Sequence, residues 1–348
     1  GLGRGILDHV DHRDVVTFTG SAATGKILKS HPNILAHSVP FNMEADSLNA
    51  CVLGKDAVPG TAEFDLFVKE VHKEMTVKTG QKCTAVRRVL VPENTIDLVQ
   101  EALISRLGKT AIGNPDNKEV RMGALATKIQ VERVKENVEL LMKSQEKVYG
   151  SLEKIPLIDA QFEKGCFFSP ILFRNEQPFL KDDVHHVEAF GPVSTLIPYK
   201  DMEEAVAIVE MGKGSLVTSI VTNDDEIAKT FVTEAAHMNG RILVLNERCA
   251  KESTGHGSPM PLLTHGGPGR AGGGEEMGGI RGIKHYLQRT AIQGHPETIT
   301  RITEQFQVGG DQPISQPHVF RKHFEELVVG ETVFTHKHTV SEADIVNF

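Results

Sequence analysis

Gly80-Gln81-Lys82-Cys83-Thr84 carries the residue types that nucleophilic chemistry needs. A cysteine beside a flexible glycine, a lysine and a threonine sits where positive charge favours the ionised sulfur, the reactive form. An isolated cysteine is more often an inert core residue. Cys51, Cys166 and Cys249, among small or apolar neighbours, take that second reading. Glu44 lies 39 residues before Cys83, in Phe41-Asn42-Met43-Glu44-Ala45-Asp46-Ser47. A carboxylate between Met43 and Ala45, partly desolvated, would be a general base; a solvated surface glutamate is the alternative. Gly20-Ser21-Ala22-Ala23-Thr24-Gly25-Lys26 comes within one residue of a P-loop, but Ile27 follows in place of the hydroxyl that would bind magnesium. Nucleotide hydrolysis is therefore disfavoured. A dinucleotide site, or an ordinary strand-to-helix turn, remains.

The elements that position these residues follow from pattern. Asp14 to Thr19 reads as a strand leading through the glycine turn into a helix, the unit that presents backbone N–H groups to a phosphate. Apolar spacing predicts a helix over 65–78, a strand over Val86–Pro92, and helices over Thr95–Leu107 and Lys128–Met142. Strands over 192–197, 216–221 and 242–245 alternate with helices over 202–210 and 226–237. That alternation predicts an α/β fold with a mostly parallel sheet. Gly266 to Gly282 reads as loop, His285 to Ile292 as β, and Gln307 to Pro317 as linker.

Composition narrows the classes. The 348 residues suffice for two domains, and 46 acidic against 38 basic residues give a net charge of -8. No clustered Lys and Arg point to nucleic acid. Four cysteines without regular spacing suit a reducing compartment, and the sixteen histidines show no metal-ligand spacing, so no metal site is expected. No apolar run approaches the ~18 residues of a membrane span and no signal peptide opens the chain, which predicts a cytoplasmic protein.

Taken in order, the phosphate-binding turn, Glu44, Gly80-Gln81-Lys82-Cys83-Thr84 and Glu188-Ala189-Phe190-Gly191-Pro192 resemble the NAD(P)-dependent aldehyde dehydrogenase superfamily. The resemblance implies the aldehyde dehydrogenase fold, a Rossmann-like cofactor domain plus an α/β catalytic domain. It implies Cys83 as the nucleophile, Glu44 as the base that activates water, and Gly20 and Ser21 at the cofactor pyrophosphate. Gly25 would allow close packing of the turn, Glu188 would hold the nicotinamide ribose and Phe190 would pack near the ring. The family's oxyanion-stabilising asparagine and its cofactor-discriminating strand are then expected upstream of Gly1, which would leave the chain by itself inactive.

Ala45-Asp46, where most of the superfamily has leucine or a small residue and then two glycines, departs from the common pattern. With 251–259 and 265–274 it resembles the branch of bifunctional enzymes of phenylacetate degradation, in which a MaoC-like hotdog hydratase domain follows. Phe324-Glu325-Glu326-Leu327 and Thr339 to Phe348 resemble the opening of that domain. The implied division is 1–45, end of the cofactor domain; 46–265, catalytic domain; 266–300, glycine-rich loop and oligomerisation strand; 301–320, linker; and 321–348, start of the hydratase domain. The branch implies a CoA-linked semialdehyde substrate, NADP as cofactor with NAD the alternative, oxepin-CoA hydrolysis by the hydratase domain, and a homo-oligomer. The competing readings are a monofunctional aldehyde dehydrogenase acting on another aldehyde and a non-catalytic nucleotide-binding protein of the same fold.

Overall fold

The structure is a computed structural model that describes residues 2–260, 263, 266–275 and 278–310. The expected hydratase stretch 321–348, His265 and residues 311–320 of the expected linker lie outside the described residues. The chain divides into two units, Gly1–Tyr286 and Leu287–Phe348.

In the first unit the elements run α1 (Leu2–Gly5), β1 (Val16–Thr19), α2 (Ala22–Lys29), α3 (Pro32–Ala36), β2 (Phe41–Glu44), β3 (Ala50–Leu53), α4 (Ala62–Thr76), β4 (Arg88–Pro92) and α5 (Ile96–Gly108). They continue with α6 (Lys128–Leu141), β5 (Glu146–Tyr149), β6 (Ile171–Arg174), β7 (Val193–Tyr199), α7 (Met202–Glu210), β8 (Ser215–Val221), α8 (Asp225–Ala235), β9 (Asn239–Leu245) and α9 (Ile280–His285). The second unit contributes α10 (Pro296–Thr303). Side-chain caps start α4, α6, α7 and α8: Thr61, Thr127, Asp201 and Asp224 each accept a backbone N–H of the first turn.

β1 and β2 form a parallel pair, and a separate seven-stranded sheet has the order β5-β6-β7-β4-β3-β8-β9. Every pairing in the larger sheet is parallel except β5 with β6. Alternation along β3 sends Cys51 and Leu53 to one face and Ala50 and Val52 to the other. The first face packs under α4 and α5 through Phe67, Val71, Met75, Val99 and Leu103. The second packs under α7 and α8 through Ala205, Ile208, Val209 and Phe231. Parallel strands with helices on both faces are thereby buried on both sides, as such sheets must be. α6 closes a third apolar cluster with Ile171, Phe173 and Val193.

The parallel α/β sheet agrees with the sequence reading, and the expected helices appear with ends shifted by a few residues. β2, β3, β5 and β6 carry no alternation long enough to mark them. His285–Ile292, expected as an oligomerisation strand, pairs with no described strand of its own chain, and α9 ends at His285. Ile280 and Ile283 are three apart, a helical spacing, and a strand requires a partner ladder that no described strand offers.

Phe231 is fully buried and Phe179 is 48% exposed. Phe231→Ala is expected to lower the unfolding free energy by about 3–5 kcal/mol. Phe179→Ala should stay within about 0.5 kcal/mol of wild type in the same urea titration.

Candidate active site

β2 ends at Glu44 and β3 begins at Ala50. The short connection between them, 45–49, joins the C-terminal ends of the small sheet to the N-terminal ends of the large one. A cavity of about 510 Å³ lies at this junction, and six of the expected residues, Gly20, Ser21, Glu44, Cys83, Glu188 and Phe190, line it. Gly25 does not. It is buried in α2, where a Cβ would meet Met43 Sδ at 2.7 Å and Phe18 at 3.1 Å, so it lets the helix pack against β1 and β2.

Ser21 caps α2, its Oγ accepting from Thr24 N, and Gly20 N donates to Glu44 O at 3.1 Å. The glycine turn and the candidate base are thus fixed to each other through the backbone. Glu44 is half-buried, at the end of β2.

The approach to Cys83 is strained. After α4, Lys78 and Thr79 adopt φ of 53° and 54°, and Gly80 follows at 67°. Two non-glycine residues in the left-handed region, one of them β-branched, cost about 1–3 kcal/mol each unless their surroundings impose the geometry. Those surroundings are visible. Thr79 Oγ1 donates to Gly123 O at 3.1 Å, and a Cβ on Gly80 would lie 2.2 Å from Gly191 O. Asn49 at the head of β3 holds the far side of the loop, its Nδ2 donating to Cys83 O (2.8 Å) and Ala85 O (3.0 Å). Its own Oδ1 is fixed by Ser47 Oγ (2.5 Å) and Val217 N (3.1 Å).

Lys82 is held in an ion pair. Its ammonium is 2.7 Å from Glu74 Oε1, a carboxylate with no exposed surface whose pKa burial raises against the pull of Lys82. Arg87 is a cation that interacts with Cys83. Buried to 4% exposure, Arg87 donates to Gly191 O (2.6 Å), Gly80 O (2.9 Å) and Lys82 O (3.4 Å). It also lies 5.5 Å from the Phe190 ring centre, and its Nε is 3.7 Å from Glu188 Oε1. Burial lowers the Arg87 pKa while Glu188, Glu74 and Cys83 push it back.

Glu188 is 10% exposed, and its Oε1 makes no hydrogen bond. Burial pushes its pKa up to about 7, with Arg87 opposing and Asp46 adding to the rise. A buried acid and a helix N-terminus with its capping serine on the lining of one cavity fit a dinucleotide whose ribose donates hydroxyls and whose pyrophosphate meets backbone N–H groups. Sequence reasoning missed Arg87, Asp46 and Arg270, and also Gln130, Arg133 and Asn137 of α6, which line the same cavity. The signal for the last three was their spacing of three and four along one helix face. Asn137 Nδ2 donates to Glu188 O at 2.9 Å, and Arg270 donates to the carbonyls of His185 and His186. Of the cysteines read as core, Cys51 is buried, whereas Cys166 and Cys249 are half-buried.

Raising Glu188 from 4.5 to about 7 means that between those values the folded protein holds a proton the unfolded chain has released. Its contribution to stability is complete below about pH 4.5 and is lost as pH rises through about 7. Urea titrations across this window should show a steeper fall in wild type than in Glu188→Gln; equal slopes would contradict the buried-acid description.

Comparison with known proteins gives the family. The sequence profile of the Aldehyde dehydrogenase family matches residues 2–292. Over 268 residues the chain is 43% identical to 3,4-dehydroadipyl-CoA semialdehyde dehydrogenase of Aromatoleum evansii, covering 77% of this chain and 52% of that protein. Over 228 residues it is 46% identical to Protein MaoC of Klebsiella aerogenes, covering 65% and 66%. The chain thus spans between about half and two thirds of the length of these relatives. Betaine aldehyde dehydrogenase of Staphylococcus aureus, solved with NAD+, shares the fold with a TM-score of 0.70 at 23% identity, over 82% of this chain and 54% of that one. With most of its length matched by the family profile, the chain belongs to the aldehyde dehydrogenase family.

Proposed function

We propose that the protein of which this chain is part oxidises a CoA-linked semialdehyde to the carboxylic acid in phenylacetate-type catabolism, through a thioester on Cys83. The observation that carries this reading is the cavity that gathers Cys83, Glu44, Glu188 and the N-terminus of α2. The relative from Aromatoleum evansii, named as a CoA-semialdehyde dehydrogenase, supports the substrate class.

Cys83, as thiolate beside the Arg87 charge, attacks the aldehyde carbon to give a thiohemiacetal. A bound nicotinamide dinucleotide, NADP+ with NAD+ the alternative, would supply the hydride acceptor that turns this adduct into the thioester. Ser21 and the first N–H groups of α2 would hold its pyrophosphate, Glu188 its ribose, and Phe190 would pack near its ring. Glu44 then takes a proton from water as the water attacks the thioester carbonyl, and Cys83 leaves as the thiolate. The resemblance of 321–348 to a MaoC-like hydratase, and the relative named Protein MaoC, support oxepin-CoA hydrolysis as a second activity of the full-length protein. A homo-oligomer and a cytoplasmic location belong to the same proposal.

In the full-length protein, Cys83→Ala should abolish aldehyde-dependent NAD(P)H formation. Glu44→Gln should keep a first-turnover burst of NAD(P)H and slow the steady state by about 10²-fold or more. A Cys83→Ala enzyme with unchanged turnover, or a Glu44→Gln enzyme whose burst and steady state fall together, would overturn the assignment.

A further inference from the structure

We infer that Asp46 is an internal anion that weakens dinucleotide binding, because its carboxylate holds an amide at the N-terminus of α2, where the cofactor's pyrophosphate would meet the helix. The inference rests on the dinucleotide reading of the cavity and goes beyond it.

Asp46 lines the cavity, and its Oδ1 accepts from Ala22 N at 3.0 Å. The residues around it are fixed. Ala45 N donates to Ala271 O at 2.9 Å, and Ser47 Oγ is held between Asn49 Oδ1 and Leu216 N. The backbone on either side of Asp46 is thus held at the head of β3, with its carboxylate against the start of α2. The first turn of an α-helix leaves four N–H groups without intrahelical partners, and these attract a bound phosphate. In the eight-residue α2, Thr24 N is satisfied by Ser21 Oγ and Ala22 N by Asp46. A negative charge placed there offsets part of the positive end of the helix dipole.

The same cavity is lined by Glu188 and Arg270; the Glu188 side chain is 10% exposed, its Oε1 3.7 Å from Arg87 Nε and without a hydrogen bond. Asp46 also acts on Glu188, raising its pKa through like charge, so its field reaches the nicotinamide end of the proposed site as well. A pyrophosphate entering between these groups meets repulsion from Asp46 that a neutral residue would not give.

The competing role for Asp46 is a structural cap on α2. Asp46→Asn separates the two, since it keeps the Oδ1 acceptor and removes the charge; Asp46→Ser serves as a second neutral variant. NAD+, NADP+ and ADP-ribose are titrated calorimetrically into the full-length wild-type and variant proteins. Both variants should bind all three ligands roughly three- to tenfold more tightly at low salt. The gain should shrink at about 0.5 M salt, where surface charges are screened. Unchanged or weaker affinity in both variants overturns the inference and leaves the cap role. A wild-type protein that binds none of the three ligands overturns the dinucleotide reading itself, and the inference with it.

Discussion

One buried guanidinium organises the site. Burying Arg87 removes a charge from water, a cost of several kcal/mol that good geometry must offset. The offset comes from three backbone carbonyls, those of Gly80, Lys82 and Gly191, and from the Glu188 carboxylate. Two of those carbonyls belong to the cysteine loop and the third to the turn that carries Glu188 and Phe190. The cation therefore fastens the cysteine loop to the turn that carries Glu188 and Phe190. It also explains why Lys78, Thr79 and Gly80 can remain in the left-handed region, since the chain reaches Gly80 already committed to meeting Arg87 and the Gly191 carbonyl.

Topology supplies the rest. Ligands of open α/β sheets usually lie beyond the C-terminal ends of the strands. Here that holds for β1 and β2, which deliver Gly20 and Glu44. The larger sheet offers its N-terminal ends instead: Asn49 precedes β3, Cys83 and Arg87 precede β4, and Glu188 and Phe190 precede β7. The 45–49 connection bridges the two sheets, and each of its polar side chains has a task there. Asp46 meets α2, Ser47 meets β8, and Asn49 meets the cysteine loop. Behind that loop, Lys82 and Glu74 form a buried pair that leaves room only for the backbone of Gly257, whose Cβ would lie 2.4 Å from Lys82 Nζ.

Much of this was legible in the sequence because it depends on local pattern. The amphipathic spacing of α4 to α8 follows from one buried face each, and the order of turn, glutamate and cysteine motif survives as order in space. β2 and β3 are four residues each, too short for alternation to register. The run from His285 to Ile292 has the composition of a strand, but a strand is decided by its partner and none is described. Adjacency in sequence also says nothing of where a long side chain finds its counter-ion: Lys82 pairs with Glu74, in the last turn of α4. Arg87 was hidden beside Arg88 in what reads as the start of a strand, although Arg88 turns to the carbonyls of Leu48, Ile208 and Val209.

The central claim is that Arg87 holds Cys83 in place and favours its thiolate. The direct measurement is the rate of Cys83 alkylation by iodoacetamide at neutral pH, followed by peptide mass spectrometry in the full-length protein and its Arg87→Met and Arg87→Lys variants. Loss of the cation should slow alkylation by about tenfold, with Arg87→Lys between the two. A folded Arg87→Met protein that alkylates Cys83 at the wild-type rate would contradict the account.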